Sequence, residues 1–249
     1  MANLSGFSKP TGRLLMLGLL SATLAACSPA PAVTRINDPF ETRNRVVHEA
    51  NKSLDRAILS PAADVYDHAV PDFAIQGIDN FANNLALPGM VVNNMLQLNL
   101  PDAFANSFRF LMNSTIGIAG LFDPANANAL YQRDTDFGET LHVWGVPEGA
   151  YLELPVLGPS TERDAFGTVV DYFLDPVGVI IPAPEKYAVT GAKVLETIGD
   201  RGQYRGLVDS VLYESADSYT QSRLLYLQTR RRDLTGSLSE DDLEDPYAE

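Results

Sequence analysis

The chain has 249 residues and a formal net charge of −14 at pH 7. An acidic surface of this kind argues against nucleic-acid binding and against electrostatic adsorption to anionic lipid headgroups. With 45% hydrophobic and 20% charged residues, the composition is that of a packed protein rather than a disordered one.

The first 26 residues have the pattern of a secretory signal peptide. Lys9 and Arg13 precede a mostly apolar run, Leu14–Ala26. As a helix this run spans roughly 20 Å, which is shorter than the roughly 30 Å hydrocarbon core of a bilayer. The sequence therefore predicts a cleaved signal over residues 1–26 rather than a membrane span.

The only cysteine of the chain, Cys27, follows Leu-Ala-Ala directly. This is the pattern of a bacterial lipobox, in which the peptidase cuts before a diacylated cysteine. An ordinary signal peptide that happens to contain a cysteine is the alternative. We expect Cys27 to be the lipid attachment site and residues 27–37, rich in Pro and Ala, to form a short tether. Ser28 favours sorting to the periplasmic leaflet of the outer membrane of a Gram-negative bacterium, because the familiar inner-membrane retention residue there is Asp.

Helical patterns dominate the first half of the mature chain. Asp38 as N-cap, followed by Pro39 and Glu41, resembles a capping box and predicts an amphipathic helix over 38–59. Further helices are predicted at about 72–86, 89–98 after Pro88, and 102–115 after Pro101, because proline is favoured in the first turn.

The second half is also mainly helical. Residues 151–157 alternate briefly, and Pro155 restricts them to an edge strand or an extended arm. Helices are predicted near 162–174 and 184–199, and over 203–232 with a bend at "ESADS". The arginines that end this last helix are expected in a solvated turn, with contact to lipid headgroups as the alternative. Residues 233–249 are expected to form an acidic disordered tail. The predicted fold class is mainly α.

No enzyme motif is visible. The three histidines, His48, His68 and His142, have no metal-ligand spacing, so a zinc site is not expected. There is no G-x-S-x-G elbow and no phosphate-binding glycine loop. We expect no catalytic residues, no metal and no cofactor, although a Ser–His–acid triad assembled in space stays possible.

The most informative segment is residues 102–123, "DAFANSFRFLMNSTIGIAGLFD". Arg109 is the only basic residue of this segment. Phe104, Phe108, Leu111, Met112 and Thr115 form one stripe along the predicted helix. In a soluble protein such a stripe is usually core. On a lipidated membrane protein it can instead face acyl chains or line an amphipathic passage, and the sequence leaves both alternatives open.

Six motifs carry a family resemblance. They are "NDPFETRNR", "MVVNNMLQ", "RFLMNSTIGIAGLFD", "DFGETLHVWGV", "YLELPVLGPSTERD" and "DSYTQSRLLYLQTR". In this order, behind a lipobox, they resemble the MlaA/VacJ outer-membrane lipoproteins over about residues 37–232, and we expect the helical domain itself to cover 38–232. The resemblance implies a ring-like bundle of amphipathic helices that lies in one membrane leaflet, with little or no β structure and a central amphipathic channel.

The resemblance also implies a function. Members of this family remove mislocalised phospholipid from the outer leaflet, pass it to a periplasmic lipid-carrier protein and associate with trimeric porins, which maintains lipid asymmetry. The sequence-based candidates for the channel wall are Phe108, Phe110, Asn113, Ser114, Ile116, Gly117, Gly120 and Phe122. Two other functions are weighed against transport: an acylated adaptor that binds porins without carrying lipid, and a lipid hydrolase.

Overall fold

The structure is a computed structural model that describes residues 36–177, 182 and 185–235. The predicted signal peptide, Cys27 and most of the tether lie outside the described residues. The described helices are, in chain order, α1 (Glu41–Leu54), α2 (Ser60–Ala69), α3 (Asp72–Leu96), α4 (Leu100–Thr115), α5 (Pro124–Ala127), α6 (Phe137–Val143), α7 (Glu162–Leu174), α8 (Glu185–Gln203), α9 (Arg205–Asp209) and α10 (Ser218–Thr235). Two π-helical segments, π1 (Asp55–Leu59) and π2 (Ser210–Glu214), continue α1 and α9. The predicted fold class, mainly α, is confirmed.

The first helix begins later than predicted. Phe40 occupies the N-cap position, so Asp38 does not cap α1. The Asp38 carboxylate instead accepts hydrogen bonds from Asn44 at 3.0 Å, from the Tyr219 hydroxyl at 2.5 Å and from Arg223 at 2.5 Å. The capping-box prediction was wrong because three donors, two of them distant in sequence, satisfy this carboxylate better than the local backbone does.

Helix α3 runs through Pro88 without a break. The prediction of two helices separated at this proline was therefore wrong. Proline removes one backbone hydrogen bond from a helix interior. Packing of α3 against α4 and α8 holds the helix together along its length.

A small β-hairpin interrupts the helices. Strands β1 (Tyr151–Leu154) and β2 (Gly158–Thr161) pair antiparallel, with Tyr151 opposite Thr161 and Leu154 opposite Gly158. The strand predicted from residue 151 is confirmed, but Pro155 lies in the connecting loop. The second strand was missed because "GPST" has no apolar alternation.

The interior of the described chain is unusually polar. Nineteen polar or charged residues are buried there, against fourteen hydrophobic ones. The apolar core cluster is small and consists of Tyr151, Tyr219 and Leu227, where β1 meets α10. Hydrogen bonds and ion pairs therefore hold much of this interior together, whereas apolar contacts do so in an ordinary globular protein.

The C-terminal helix packs back onto the body of the protein. Its predicted bend is confirmed, since Ser215–Asp217 separate π2 from α10. Arg230 contacts Asp136 at 2.7 Å and Asp164 at 3.0 Å, and Arg231 contacts Glu148 at 3.0 Å. The prediction of a solvated arginine turn was wrong for these two residues, because their partners come from distant loops and helices. Helix α10 continues to Thr235, past the predicted start of the tail at 233.

Candidate functional site

Helix α4 directs its apolar face outward. Phe104 is 71% exposed, Phe108 63% and Leu111 58%. Large apolar side chains at this exposure, aligned on one helix face, form a patch that a soluble monomer rarely shows. The stripe predicted from the sequence is therefore not core. It is a surface.

The polar face of α4 is directed inward. Arg109 is almost fully buried and contacts Asp123 at 2.8 Å, while a second guanidinium nitrogen donates to the Leu130 carbonyl. Asn113 donates to Asp123 at 2.9 Å and accepts from the Ala125 backbone N–H at 3.1 Å. These contacts attach α4 to the loop that follows it, so the helix is anchored by its polar side chains.

Asn106 repeats the same arrangement one turn earlier on α4. Its side chain donates to the Arg133 carbonyl at 2.7 Å and accepts from the Arg133 N–H at 3.1 Å. Asn106 is completely buried, and both the nitrogen and the oxygen of its side-chain amide have a hydrogen-bond partner. The polar side chains on the inward face of α4 thus each have specific partners.

The carboxyl of Asp123 has its pKa below the usual range. Burial raises the pKa of this group, but the Asn126 backbone N–H and the side chains of Arg109 and Asn113 lower it by a larger amount in total. Asp123 is therefore ionised at neutral pH and forms the anionic centre to which α4 is fastened.

The loop after α4 is tightly turned and apolar. An ideal Cβ on Gly117 would lie 2.3 Å from the Phe122 carbonyl oxygen, so only glycine fits there. Gly120 has φ +93°, and its Cβ would collide with the Asn84 side chain at 2.6 Å. Ile118 also has a positive φ, of 53°, and is exposed together with Phe122.

The eight sequence-based channel candidates separate into three groups. Exposed on the surface are Phe108, Ile116 and Phe122; buried against neighbouring protein atoms are Asn113, Gly117 and Gly120; half-buried are Phe110 and Ser114. Ser114 accepts a hydrogen bond from Asn84 of α3 at 3.0 Å. The segment is thus a single unit whose members face in different directions.

Exposed aromatic side chains occur on other elements too. Phe73 on α3 and Tyr172 and Phe173 on α7 are each more than 70% exposed. No helix in the described part of the chain has the length and apolar character needed to traverse a bilayer.

A cavity of about 270 Å³ lies between α3, α7 and α8, and we name it the α3–α7 cavity. Its wall combines apolar with polar side chains, and they are Ala86, Gly89, Met90, Asn93, Thr135, Asp136, Thr168, Asp171, Tyr172, Leu174, Asp175 and Lys193. Burial is the main cause that raises the pKa of Asp171. None of the eight sequence-based candidates lines this cavity. It was missed because its residues are contributed by segments far apart in sequence, without a common motif.

His48 is the centre of a buried polar chain. Its Nδ1 lies 3.3 Å from a Glu153 carboxylate oxygen and its Nε2 lies 3.0 Å from the Ser218 hydroxyl. Lys52 also donates to that hydroxyl, at 3.0 Å. The order Ser–His–carboxylate is that of a hydrolase triad. No local sequence motif marks these three residues, because they come from α1, β1 and α10. Within the part of the chain that the structure describes, no group of histidine, cysteine and carboxylate side chains is arranged to hold a metal ion.

The fold and this surface define a class: a mainly helical domain with a polar interior and exposed apolar helix faces. The family model of the MlaA lipoprotein matches residues 36–233. The chain belongs to the MlaA lipoprotein family.

Known relatives agree with this assignment. The chain is 34% identical over 223 residues to the intermembrane phospholipid transport system lipoprotein MlaA of Escherichia coli, covering 87% of this chain and 86% of that one. An uncharacterised protein of Rickettsia typhi is 34% identical over 196 residues, with 78% and 77% covered. A solved structure described as the structural basis for maintenance of bacterial outer membrane lipid asymmetry matches with a TM-score of 0.66 and 31% identity, covering 80% of this chain and 99% of that one.

Proposed function

We propose that this protein is an outer-membrane lipoprotein that removes mislocalised phospholipid from the outer leaflet through an amphipathic channel and passes it to a periplasmic lipid-carrier protein. The activity maintains the lipid asymmetry of the outer membrane and makes or breaks no covalent bond. Its relative in Escherichia coli is named for intermembrane phospholipid transport. The observation that carries the proposal is that α4 exposes its apolar face and buries its polar face, which we call its inverted polarity.

The inverted polarity suits a ring of helices that lies within one leaflet. Phe104 and Phe108 would contact acyl chains, and each buried side chain of this kind contributes roughly 1.5–3 kcal/mol to membrane affinity. Arg109 and Asn113 both bind Asp123 inside the protein, so this charge pair does not have to enter the hydrocarbon region. The helices then need not span the bilayer.

A lipid that moves between leaflets must keep its headgroup among polar groups and its chains among apolar ones. The α3–α7 cavity offers both, because Asn93 and Asp171 lie beside Met90 and Tyr172 on its wall. We propose that this cavity is part of the passage. The loop with Gly117 and Phe122 then forms the outer boundary of the same ring.

Attachment to the membrane is assigned to Cys27. Acyl chains there, at about 0.8 kcal/mol per buried methylene, would hold the protein permanently at the periplasmic leaflet. Cys27→Ala should leave a longer protein that stays with the inner membrane. An intact mass equal to that of an unmodified mature chain would remove this part of the proposal.

The passage is tested by two substitutions on one helix. Met90→Trp fills the α3–α7 cavity, whereas Met95→Trp places the same bulk on an exposed position of α3. We expect the Met90 variant, at normal abundance, to leave phospholipid at the cell surface, and the Met95 variant to clear it. Normal clearance by the Met90 variant would refute this cavity as the passage, and a deletion strain with a normal outer leaflet would refute transport itself.

The partners are tested in the same strains. We propose that the protein binds a trimeric porin and delivers lipid to a soluble carrier. Purification in mild detergent followed by mass spectrometry should recover both phospholipid and porin. Porin without phospholipid would favour the adaptor function instead.

The His48 chain supports a second candidate function, lipid hydrolysis. Ser218 would be the nucleophile, His48 the base and Glu153 the group that orients the base. Purified protein should then release fatty acid from phospholipid, and Ser218→Ala should abolish the release. Intact phospholipid after prolonged incubation would rule out hydrolysis. The hydrogen bonds of His48 would then have a structural role only.

A further inference from the structure

Two cavities of opposite character meet at one residue, Leu212. The basic cavity, of about 410 Å³, is lined mainly by charged and hydroxyl side chains of α1, π1, π2 and the start of α10. The apolar cavity, of about 500 Å³, lies between α9, π2 and α10. Leu212 lines both, so they adjoin. An amphipathic ligand needs this combination of spaces.

The side chains that line the basic cavity carry a net positive charge, whereas the chain as a whole is negatively charged. Three cationic side chains, Arg45, Lys52 and Arg56, face two anionic ones, Glu49 and Asp217, whereas the chain as a whole carries −14. The three cations are spaced seven and four residues apart and therefore share one face of α1 and π1. This cavity is thus a local site for an anion on an acidic protein.

Arg56 supplies the cation that is available to a ligand. Its guanidinium stacks over the Tyr213 ring at 4.8 Å from the centroid, and no carboxylate among the described residues forms an ion pair with it. Arg45, in contrast, is held by both oxygens of Asp217 at 3.0 and 2.9 Å. Arg56 can therefore bind an anion without giving up an existing ion pair.

The ammonium group of Lys52 is already held in a fixed position by neighbouring side chains before any anion binds. Its ammonium donates to the Ser218 hydroxyl at 3.0 Å and to Glu49 at 3.2 Å. The buried Ser218 is in turn fixed by His48 at 3.0 Å. A cation that is already oriented loses less conformational entropy when it binds an anion.

The apolar cavity begins where the basic one ends. Val208, Val211 and Leu225 are prominent in its lining. Within the π-helical turn π2, Val211 lines the apolar cavity, Tyr213 lines the basic cavity and Leu212 lines both. π-helical turns are frequent at functional sites because they redirect side chains locally. Here the turn separates a polar space from an apolar one.

We propose that these two cavities form one phospholipid-binding site, with the headgroup phosphate at Arg56 and Lys52 and one acyl chain against Val211 and Leu225. The proposal rests on the transport function proposed above and adds a site at which the lipid is held. A phosphodiester carries one negative charge, which matches the excess of one cation in the basic cavity. The apolar lining accounts for the chain, which the basic cavity does not accommodate.

Photocrosslinking tests the site directly. The full-length protein in mild detergent is mixed with phosphatidylethanolamine that carries a diazirine near the end of one acyl chain, illuminated and mapped by mass spectrometry. We expect label on residues 207–226. Lys52→Gln combined with Arg56→Gln should lower this labelling about tenfold or more, because two charge-assisted hydrogen bonds to phosphate are lost. Leu225→Trp, which fills the apolar cavity, should remove the label there.

Arg43→Gln is the matched control for the loss of cationic charge. Arg43 is on α1, is exposed and does not line either cavity. Labelling of residues 207–226 in this variant should therefore equal that in the unchanged protein. Lipid crosslinked elsewhere, with none on residues 207–226, would overturn this site while leaving transport intact. Equal labelling by a photoreactive diacylglycerol, which lacks phosphate, would overturn the role of the cations.

A calorimetric titration with inorganic phosphate separates the two sources of the anion. Weak or absent binding of free phosphate, together with the crosslink, supports a lipid headgroup. Tight binding of inorganic phosphate without a crosslink would assign the cavity to a free anion and overturn the proposal. If no phospholipid crosslinks or copurifies at all, the proposed transport function fails instead.

Discussion

Helix α4 with its following loop can be compared with the junction of α1, β1 and α10. In the first region apolar side chains such as Phe108 are exposed and Arg109 is buried. In the second, Tyr151 and Tyr219 pack edge to face with ring centroids 5.9 Å apart, next to Leu227. The second region follows the ordinary rule of an apolar interior, and the first reverses it.

Both regions contain charged side chains that pack against other groups of the protein, but the two regions use them differently. At the junction, Arg45 and Arg223 stack over the Tyr219 ring at 4.5 and 5.2 Å, so the cations cover an aromatic core. At α4 the ion pair of Arg109 and Asp123 is itself the interior. The difference teaches that hydrophobic burial stabilises the junction within the protein alone, whereas the apolar face of α4 needs an apolar environment outside it.

The largest expected effect is on the α4 side of the comparison. Arg109→Ala removes the buried partner of the half-buried Asp123, which stays beside Asn113 without its cation, and should lower the free energy of unfolding by about 3–5 kcal/mol. Arg133→Ala removes a partly exposed pair with Asp102 at 3.5 Å and should cost less than about 1 kcal/mol. Urea unfolding in mild detergent measures both. Equal costs would mean that the inward ion pair does not anchor α4.

Truncation of one leucine in each region separates core from surface. Leu227→Ala removes a buried side chain and should cost about 2–5 kcal/mol. Leu111→Ala makes the same change at an exposed position and should stay within about 0.5 kcal/mol in the same unfolding experiment. A large loss at Leu111 would show that the α4 stripe packs as core after all.

The outward face should matter for membranes rather than for folding. Phe104→Ser with Phe108→Ser removes two exposed rings, each worth roughly 1.5–3 kcal/mol of transfer from water. We expect weaker flotation of the unlipidated protein with liposomes and an unchanged midpoint of unfolding. Unchanged flotation would argue that this face contacts protein.

The smallest expected effect is a change in the pH dependence of stability, and it has opposite signs for the carboxyl groups of Asp79 and Asp123. Burial, then the nearby Asp200, raises the pKa of Asp79, whose Oδ1 is buried without a hydrogen-bond partner. Ionisation of Asp79 therefore destabilises the fold above the ordinary pKa of about 3.9. Asp79→Asn should raise the thermal midpoint at pH 7, and the gain should disappear near pH 4.

Asp123→Asn is the opposite case. Its depressed pKa means that ionised Asp123 stabilises the fold above about pH 3.9, and that this contribution is lost as the pH falls through the folded-state pKa. The variant should lower the thermal midpoint at pH 7 and approach the unchanged protein in acid. Shifts of the same sign for both variants would contradict this assignment of the two groups.

The sequence by itself determined the helical fold class, the strand that begins at Tyr151, the bend before α10 and, through ordered motifs, the family. Local periodicity and capping residues encode elements of this kind because they depend on neighbours within a few positions. The start of α1 at Glu41 and the passage of α3 through Pro88 were missed for the same reason: their causes are contacts with distant residues.

Only the tertiary structure decided which way the segment 102–123 faces. Its helical stripe has the same periodicity whether Phe108 points to a protein core or to lipid, because periodicity fixes a face and not what covers it. The partners that bury Arg109, namely Asp123 and the Leu130 carbonyl, belong to a loop whose path no local pattern predicts. The meeting of two cavities at Leu212 likewise required α1, π2 and α10 to be brought together in space.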